Sequence, residues 1–221
     1  MTDGSVERLQ IPVGRLVLTG DLVIPDHAQS LVIFSHGSGS GRFSPRNNFV
    51  AQQLHKKNIG TFLVDLLTPQ EDTIYANRFN IAMLTERLVD ITRWLASFNK
   101  TKKLAFGYFG ASTGAASALN ASVLLPQYIE AIVSRGGRPD LANSALSQVK
   151  APTLLIVGGL DSDVLLLNEK AFDVLTCEKK LSVVAHATHL FEEQGALEEV
   201  SVLANEWFDR FLISGFKSKR S

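Results

Sequence analysis

The chain of 221 residues has little cysteine, since Cys177 is its one thiol. An internal disulfide is therefore excluded, and we expect Cys177 to be a packing residue in a helical stretch without a catalytic role. The chain also lacks a charge of one sign, because its 22 basic and 22 acidic side chains cancel. No broad electrostatic field would attract a phosphate backbone or an anionic bilayer. We therefore expect neither nucleic acid nor membrane as a partner.

Long apolar runs are absent as well. None approaches the roughly 18 residues that a membrane helix needs, and the first ten residues, MTDGSVERLQ, lack the basic and apolar regions of a signal peptide. These absences predict a cytoplasmic protein. Hydrophobic residues make up 45% of the chain, and its length lies below the roughly 250 residues at which single cores divide. We expect one domain over residues 1–221.

What the chain does contain is a regular alternation of short apolar runs and helix-length segments. Eight runs rich in Val, Ile, Leu and Phe predict strands near residues 6–11, 15–24, 31–35, 60–65, 103–109, 129–134, 153–158 and 180–185. Helices are expected over 45–57, 80–98, 113–124, 165–176 and 195–213. The first two strands are too close for a crossover and should form an antiparallel hairpin around Gly14. The pattern predicts an α/β fold with a mostly parallel, twisted eight-stranded sheet and helices on both faces.

One motif carries nucleophilic chemistry. The strand over 103–109 runs into Gly110-Ala111-Ser112-Thr113-Gly114, and a small-residue helix follows. G-x-S-x-G between a strand and a helix is typical of a nucleophile elbow, in which the glycines allow the strand and the helix to pass closely. The N–H of Thr113 would then lie at a helix N-terminus, where the dipole stabilises an oxyanion. We predict Ser112 as the nucleophile and Thr113 as an oxyanion donor.

A serine nucleophile needs a base, and the base needs an acid to orient it. In doubly wound sheets these residues follow later strands in the order Ser, acid, His. The seventh strand is followed by Asp161 and Asp163; we favour Asp161 at the strand terminus, because Asp163 is suited to capping the next helix. The eighth strand is followed by His186 and His189. We favour His189, which lies further from the strand end, and His186 stays the alternative.

The loop after the third strand reads His36-Gly37-Ser38-Gly39-Ser40-Gly41. Its glycines would let a backbone N–H face the site, so we predict Ser38 as the second oxyanion donor. Gly37 is the alternative donor and a candidate substrate contact. His36 is expected to hold this loop by a hydrogen bond.

Two arginines follow the sixth strand, on the sheet edge where the catalytic residues are expected. Either Arg135 or Arg138 could bind a substrate carboxylate or phosphate. The alternative is a structural role, in which the guanidinium bonds loop carbonyls or a nearby acid. The sequence does not separate the two, and Arg135 is our candidate substrate contact.

Taken together, these loops resemble those of the α/β-hydrolase superfamily, and the chain is similar to its dienelactone hydrolase-like branch over nearly its whole length. The resemblance rests on the His36-Gly37 loop, the Ser112 elbow, Gly158-Gly159-Leu160-Asp161 and Ala187-Thr188-His189. It implies hydrolysis of an ester-like bond through an acyl-enzyme, without a metal or an organic cofactor. Dienelactone hydrolases proper use a cysteine nucleophile, so the serine here leaves a lactone substrate in doubt.

The expected substrate is a small or medium carboxylester or thioester. Residues 135–152 have room for one short helix, so no large lid is predicted, and the 66–80 loop or the second subunit of a homodimer is left to roof the site. Two alternatives stay open. The fold could serve as a catalytically silent binding module. The glycines from Gly37 to Gly41 also resemble a dinucleotide-binding loop, although Arg42 and Ser44 stand where a third glycine is required.

Overall fold

The computed structural model describes residues 4–214 and contains an eight-stranded sheet with the strand order β1-β2-β4-β3-β5-β6-β7-β8. The strands are β1 (Glu7–Val13), β2 (Leu16–Val23), β3 (Ser30–Ser35), β4 (Gly60–Val64), β5 (Ala105–Ala111), β6 (Ile129–Arg135), β7 (Thr153–Gly158) and β8 (Lys179–Val184). β2 pairs antiparallel with β1 and with β4, and the other neighbours are parallel. The mostly parallel sheet and the β1–β2 hairpin are thus confirmed.

Helices cover both faces of the sheet, as predicted. They are α1 (Pro45–His55), α2 (Pro69–Asp72), α3 (Ile81–Ser97), α4 (Thr113–Leu124), α5 (Ser162–Val174) and α6 (Ala196–Phe208), with 3₁₀ helices at Tyr75–Phe79 and Pro139–Gln148 and a π-helical turn at Asp209–Ser214. Apolar side chains of α3, α4 and α5 pack on one face, and those of α1 and α6 pack on the other. Within residues 4–214, none of these helices combines the length and the apolar character needed to cross a bilayer.

Two local expectations are wrong. The helix α5 begins at Ser162 and places Asp163 inside its first turn, so Asp163 does not cap it; Asp161 occupies the capping position, and its side chain bonds no helix N–H. Cys177 lies after α5 in the loop before β8. It is half-buried there, and its Sγ lies 3.8 Å from Thr153 Oγ1. Burial raises the pKa of the Cys177 thiol, in keeping with a packing residue.

The segments that could cover the site are short. Between β6 and β7 the chain forms the 3₁₀ helix Pro139–Gln148, which confirms that no large lid is inserted there. The segment over 66–80, expected as a loop, contains α2 and the 3₁₀ helix Tyr75–Phe79. It is anchored by Arg87 of α3, whose Nη1 donates to Glu71 Oε2 at 2.7 Å and to Leu66 O at 2.7 Å. This ion pair holds the pKa of Glu71 down to about 2.

The position of α4 depends on a close approach to β3. A Cβ added at Gly114 would lie far inside van der Waals contact with the carbonyl oxygen of Ser35. A Cβ at Gly110, at the end of β5, would lie 2.5 Å from Ala115 Cα. The hydroxyls of Ser35 and Ser117 are joined by a buried hydrogen bond of 2.8 Å. The elbow therefore accepts no side chain at either glycine.

This packing predicts that Gly114→Ala lowers the free energy of unfolding by about 3 kcal/mol or more, because the backbone of β3 must move. Gly14→Ala is the matched control, since Gly14 has φ +58° and open space around it. There we expect a loss of about 1 kcal/mol from backbone strain alone. Denaturant unfolding followed by circular dichroism measures both. Equal losses at the two positions would contradict the close-approach account.

Candidate active site

Ser112 occupies a strained turn between β5 and α4. Its backbone has φ 49° and ψ −122°, a region that non-glycine residues rarely adopt. Three hydrogen bonds fix this conformation: the Ser112 N–H donates to Arg135 O at 3.3 Å, and its carbonyl accepts from Arg138 N at 3.0 Å and from Ala115 N at 3.1 Å. The half-buried side chain therefore stands at the carboxyl edge of the sheet, where a nucleophile elbow presents it.

The structure brings His189 and Asp161 together. His189 Nδ1 lies 2.7 Å from Asp161 Oδ2. The side chain of Asp161 is 15% exposed and that of His189 is 38% exposed, so the carboxylate is shielded while the ring faces solvent. With the Nδ1 proton on the carboxylate side, Nε2 is the ring atom left to accept a proton.

The turn at Arg135 and Gly136 connects this pair to the elbow. Gly136 has φ +50°, and a Cβ built there would lie 3.6 Å from His189 Cε1 and 3.2 Å from His189 O. Its N–H donates to Ile156 O of β7 at 2.8 Å. Because the preceding residue, Arg135, accepts the N–H of Ser112, both Ser112 and His189 lie against one turn.

The two alternatives named in the sequence are placed differently. His186 is exposed and has φ 62°, and the carboxylate-bonded ring belongs to His189. Asp163 is exposed in the first turn of α5. Arg138 is occupied by a bidentate pair with Asp140, at 2.8 Å for each bond, which raises the pKa of Arg138. The geometry therefore favours Asp161, His189 and, of the two arginines, Arg135.

Phe191 is a site residue that the sequence reasoning missed. It is buried with φ 56°, and its N–H donates to Thr188 O at 3.2 Å. Its ring lies 5.8 Å from the guanidinium carbon of Arg135 and close to Gly136. A buried aromatic residue in left-handed conformation anchors the loop that carries His189. An aromatic residue two positions after the histidine was its only signal.

The loop after β3 lies directly beside Ser112. A Cβ at Gly37 would lie 2.9 Å from Ser112 Cβ. The carbonyl of Gly37 accepts from Ser40 N at 3.2 Å, and Gly39 has φ +68°, so the loop closes in a tight turn. Within residues 4–214, no hydrogen bond uses the backbone N–H of Ser38 or of Thr113. Among the described residues, both amides thus lack an acceptor.

His36 connects this loop to the backbone of Leu66. Its buried ring contacts Gly37 O through Nδ1 at 3.0 Å, and Nε2 accepts from Leu66 N at 3.0 Å. The Nδ1 proton must then point to the carbonyl, and the ring is neutral. Burial lowers the pKa of His36. Its two ring nitrogens are used by the backbone, as expected for a residue that fixes the loop.

Exposed apolar side chains lie in the loops that follow β3, β7 and β8 and in the segment over 66–80. They are Phe43, Ile74, Tyr75, Phe79, Leu160 and Leu190. Within residues 4–214, no group of three His, Cys, Asp or Glu side chains is placed to hold a metal ion.

A solved structure shares this whole arrangement of strands and helices. The crystal structure of dienelactone hydrolase from Anabaena variabilis is 49% identical, with a TM-score of 0.92, and the match covers 95% of this chain and 99% of that one. This chain belongs to the dienelactone hydrolase-like branch of the α/β-hydrolase superfamily. Proteins of much lower sequence identity share the fold of this branch. Est1E from Butyrivibrio proteoclasticus is 14% identical with a TM-score of 0.77, over 91% of this chain and 97% of that one.

Curated relatives of this α/β-hydrolase carry a different name. Two Mycobacterium tuberculosis proteins called "Putative phosphoribosyl transferase" are 50% identical over 202 residues, which is 91% of this chain and 46% of each of theirs. The chain thus spans about half the length of the curated relatives it matches. No family model matches the chain.

The neutral, buried state of His36 predicts an acid-sensitive loop. Because its folded pKa is lowered from the ordinary 6.5, the unfolded chain takes up the proton first as the pH falls. The free energy of unfolding should be fully retained above pH 6.5 and decrease as the pH falls toward the folded pKa, by up to about 1.4 kcal/mol per pH unit from this residue.

Denaturant unfolding between pH 7.5 and pH 5 measures this slope in the natural protein and in His36→Gln. The variant lacks the two ring hydrogen bonds and should therefore be less stable at every pH. The decrease of its free energy of unfolding with falling pH should nevertheless be shallower. An equally steep slope in both proteins would exclude His36 as the source.

Proposed function

We propose that this chain is a serine hydrolase that cleaves a small or medium carboxylester or thioester through an acyl-enzyme. Ser112 is the nucleophile, His189 the general base and Asp161 the acid that orients it. The observation that carries the proposal is the 2.7 Å contact between His189 Nδ1 and Asp161 Oδ2. The His189 ring also packs against the turn whose Arg135 carbonyl accepts the N–H of Ser112. This is the order of groups that a hydroxyl nucleophile requires.

The chemistry follows from these positions. Ser112 Oγ attacks the carbonyl carbon while its proton moves to His189 Nε2, and the carbonyl oxygen becomes an oxyanion. The N–H groups of Thr113 and Ser38 stabilise that charge. When the tetrahedral intermediate collapses, the alcohol or thiol leaves with the proton from His189. Water then attacks the acyl-enzyme by the same route, which releases the acid and restores Ser112.

The relatives support the hydrolytic part of this proposal. The Anabaena protein is called a dienelactone hydrolase, and at 49% identity the comparison extends beyond the fold. Est1E has been solved with ferulic acid bound. At 14% identity, Est1E shares the fold, and its ligand carries no argument about the substrate here. We therefore take an ester-like bond as the substrate class and leave the acyl group to experiment.

The name phosphoribosyl transferase belongs to proteins about twice as long as the segment they share with this chain. The shared segment folds here as an α/β-hydrolase, so we assign the hydrolase chemistry to it. The Gly37–Gly41 loop favours the same assignment over dinucleotide binding. It packs against Ser112, and α1 begins only at Pro45, whereas a dinucleotide-binding loop leads straight into its helix.

Removing the proposed nucleophile or base should abolish turnover. We expect Ser112→Ala and His189→Ala to lower the turnover of short-chain p-nitrophenyl esters or acyl-CoA thioesters by about 10⁴-fold or more, and Asp161→Asn by somewhat less. A fluorophosphonate probe should label Ser112 in the natural protein, as located by peptide mass spectrometry.

Matched controls come from the same two loops. His186→Ala and Asp163→Asn remove the alternative residues and should leave turnover within about threefold of the natural protein. Equal rates for the natural protein and Ser112→Ala would end the proposed mechanism. Loss in His186→Ala as large as in His189→Ala would reassign the base.

A further inference from the structure

The chain just after β4 holds the glycine-rich loop that follows β3. This loop covers residues 36–42, and its ends are hydrogen-bonded to Leu66 and Asp65. At its start, His36 Nε2 accepts the N–H of Leu66 at 3.0 Å. At its end, Asp65 Oδ1 accepts the N–H of Arg42 at 2.8 Å, and Asp65 Oδ2 pairs with the Arg42 guanidinium. Two consecutive residues therefore hold both ends of the loop.

The carboxylate of Asp65 is itself held in place by the sheet and by the loop. The N–H of Asp65 donates to Thr19 O of β2 at 3.1 Å. Its side chain is 26% exposed, and a Cβ built at Gly41 would lie 2.6 Å from Asp65 Oδ1. The carboxylate therefore lies directly against the loop backbone, where a residue larger than glycine would displace it.

Between its two ends the loop is rich in glycine. Three of the six residues over 36–41 are glycines, which adopt many backbone conformations. Inside the loop, a hydrogen bond of 3.2 Å joins Ser40 N to Gly37 O. The N–H of Ser38, the proposed oxyanion donor, has no acceptor among the described residues. Its direction therefore depends on where the two ends of the loop are held.

The position of this loop matters because it lies against the proposed nucleophile. A Cβ at Gly37 would lie 2.9 Å from Ser112 Cβ. An oxyanion donor acts at about 2.7–3.1 Å from the oxygen, and a misplacement of about 1 Å in an active site can cost about 10²-fold in rate. A small shift of the loop would therefore separate the Ser38 N–H from the oxyanion.

We propose that Asp65 is a positioning residue for the oxyanion hole: it holds the end of the loop at Arg42 and thereby directs the N–H of Ser38 toward the oxyanion that forms at Ser112. The inference rests on the proposed hydrolase function. Asp65 acts through the loop and takes no part in the bond changes. Because the oxyanion is absent from the bound substrate, loss of Asp65 should weaken binding of the transition state and leave ground-state binding nearly unchanged.

Substitution of Asp65 tests this role with p-nitrophenyl butyrate, with active sites counted by fluorophosphonate labelling. Asp65→Ala removes the acceptor of the Arg42 N–H, and kcat/KM per active site should fall about tenfold or more. Asp65→Asn keeps an oxygen acceptor without the charge, and its kcat/KM should lie between those of the natural protein and Asp65→Ala. Asp21→Ala is the matched control. Asp21 Oδ2 lies 3.3 Å from Arg42 Nε, and within residues 4–214 Asp21 accepts no N–H of the loop backbone. In this control kcat/KM should change less than about twofold.

Two ketone inhibitors separate positioning from a general loss of stability. An aliphatic trifluoromethyl ketone forms a tetrahedral adduct with a serine nucleophile, and the adduct places an oxyanion in the hole. The methyl ketone of the same chain length binds as an uncharged carbonyl compound. Asp65→Ala should weaken inhibition by the trifluoromethyl ketone by about the factor lost in kcat/KM, and the inhibition constant of the methyl ketone should stay within about twofold. A general loss of stability lowers the melting temperature and the number of active sites and leaves both inhibition constants unchanged.

The outcomes keep this inference apart from the proposed function. Equal inhibition of the natural protein and Asp65→Ala by the trifluoromethyl ketone, or equal weakening of both ketones, would overturn the positioning role, while Ser112-dependent hydrolysis leaves the hydrolase standing. Hydrolysis that survives Ser112→Ala refutes the hydrolase mechanism and the inference with it. If Asp65→Ala does not fold, Asp65→Glu keeps the carboxylate and lengthens the side chain against Gly41. Unchanged inhibition of that variant by the trifluoromethyl ketone would overturn the positioning role as well.

Discussion

The candidate site depends on one steric constraint, the distance at which α4 passes β3. Gly114 lies against the carbonyl of Ser35, and Gly110 lies against the start of the helix. Because the two glycines have no Cβ, the chain can turn from strand to helix within one residue, and Ser112 at that turn has a positive φ of 49°. The same closeness brings the Gly37 loop against Ser112. The proposed nucleophile and the proposed oxyanion donors are thus positioned by close packing at these glycines.

The turn after β6 connects the remaining groups. The carbonyl of Arg135 accepts the N–H of Ser112, and the N–H of Gly136 donates to Ile156 O of β7. Gly136 also contacts His189, and the Phe191 ring lies next to both Arg135 and Gly136. Parallel strands end at one edge, so the loops after β5, β6, β7 and β8 meet there by topology. Topology alone does not orient the ring of His189. The contact with Gly136, which is hydrogen-bonded to β7, positions that ring.

Two ionisable side chains buried after β3 and at the end of β6 differ in their charge and in their partners. His36 is neutral and uses both ring nitrogens on backbone groups, so its burial leaves nothing unpaired. Among the described residues, Arg135 is a buried cation that donates to the neutral side chain of Asn47, and another cation, Arg46, lies nearby. The first arrangement is that of a structural residue. The second leaves a buried charge beside a neutral amide, which burial disfavours.

The sequence by itself determined the fold class, the succession of strands and helices along the chain and the residue types of the elbow, because apolar periodicity and the G-x-S-x-G spacing are local properties of the chain. It placed the end of β5 at 109, whereas pairing of Ala111 with Arg135 extends the strand to 111. It also selected Asp161 over Asp163 on a capping argument that the start of α5 at Ser162 removes. Only the tertiary structure decided which histidine meets a carboxylate, that Phe191 anchors the histidine loop and that Arg135 is buried beside Asn47. Loop side chains are oriented by contacts with residues far away in the sequence, and no local pattern encodes those contacts.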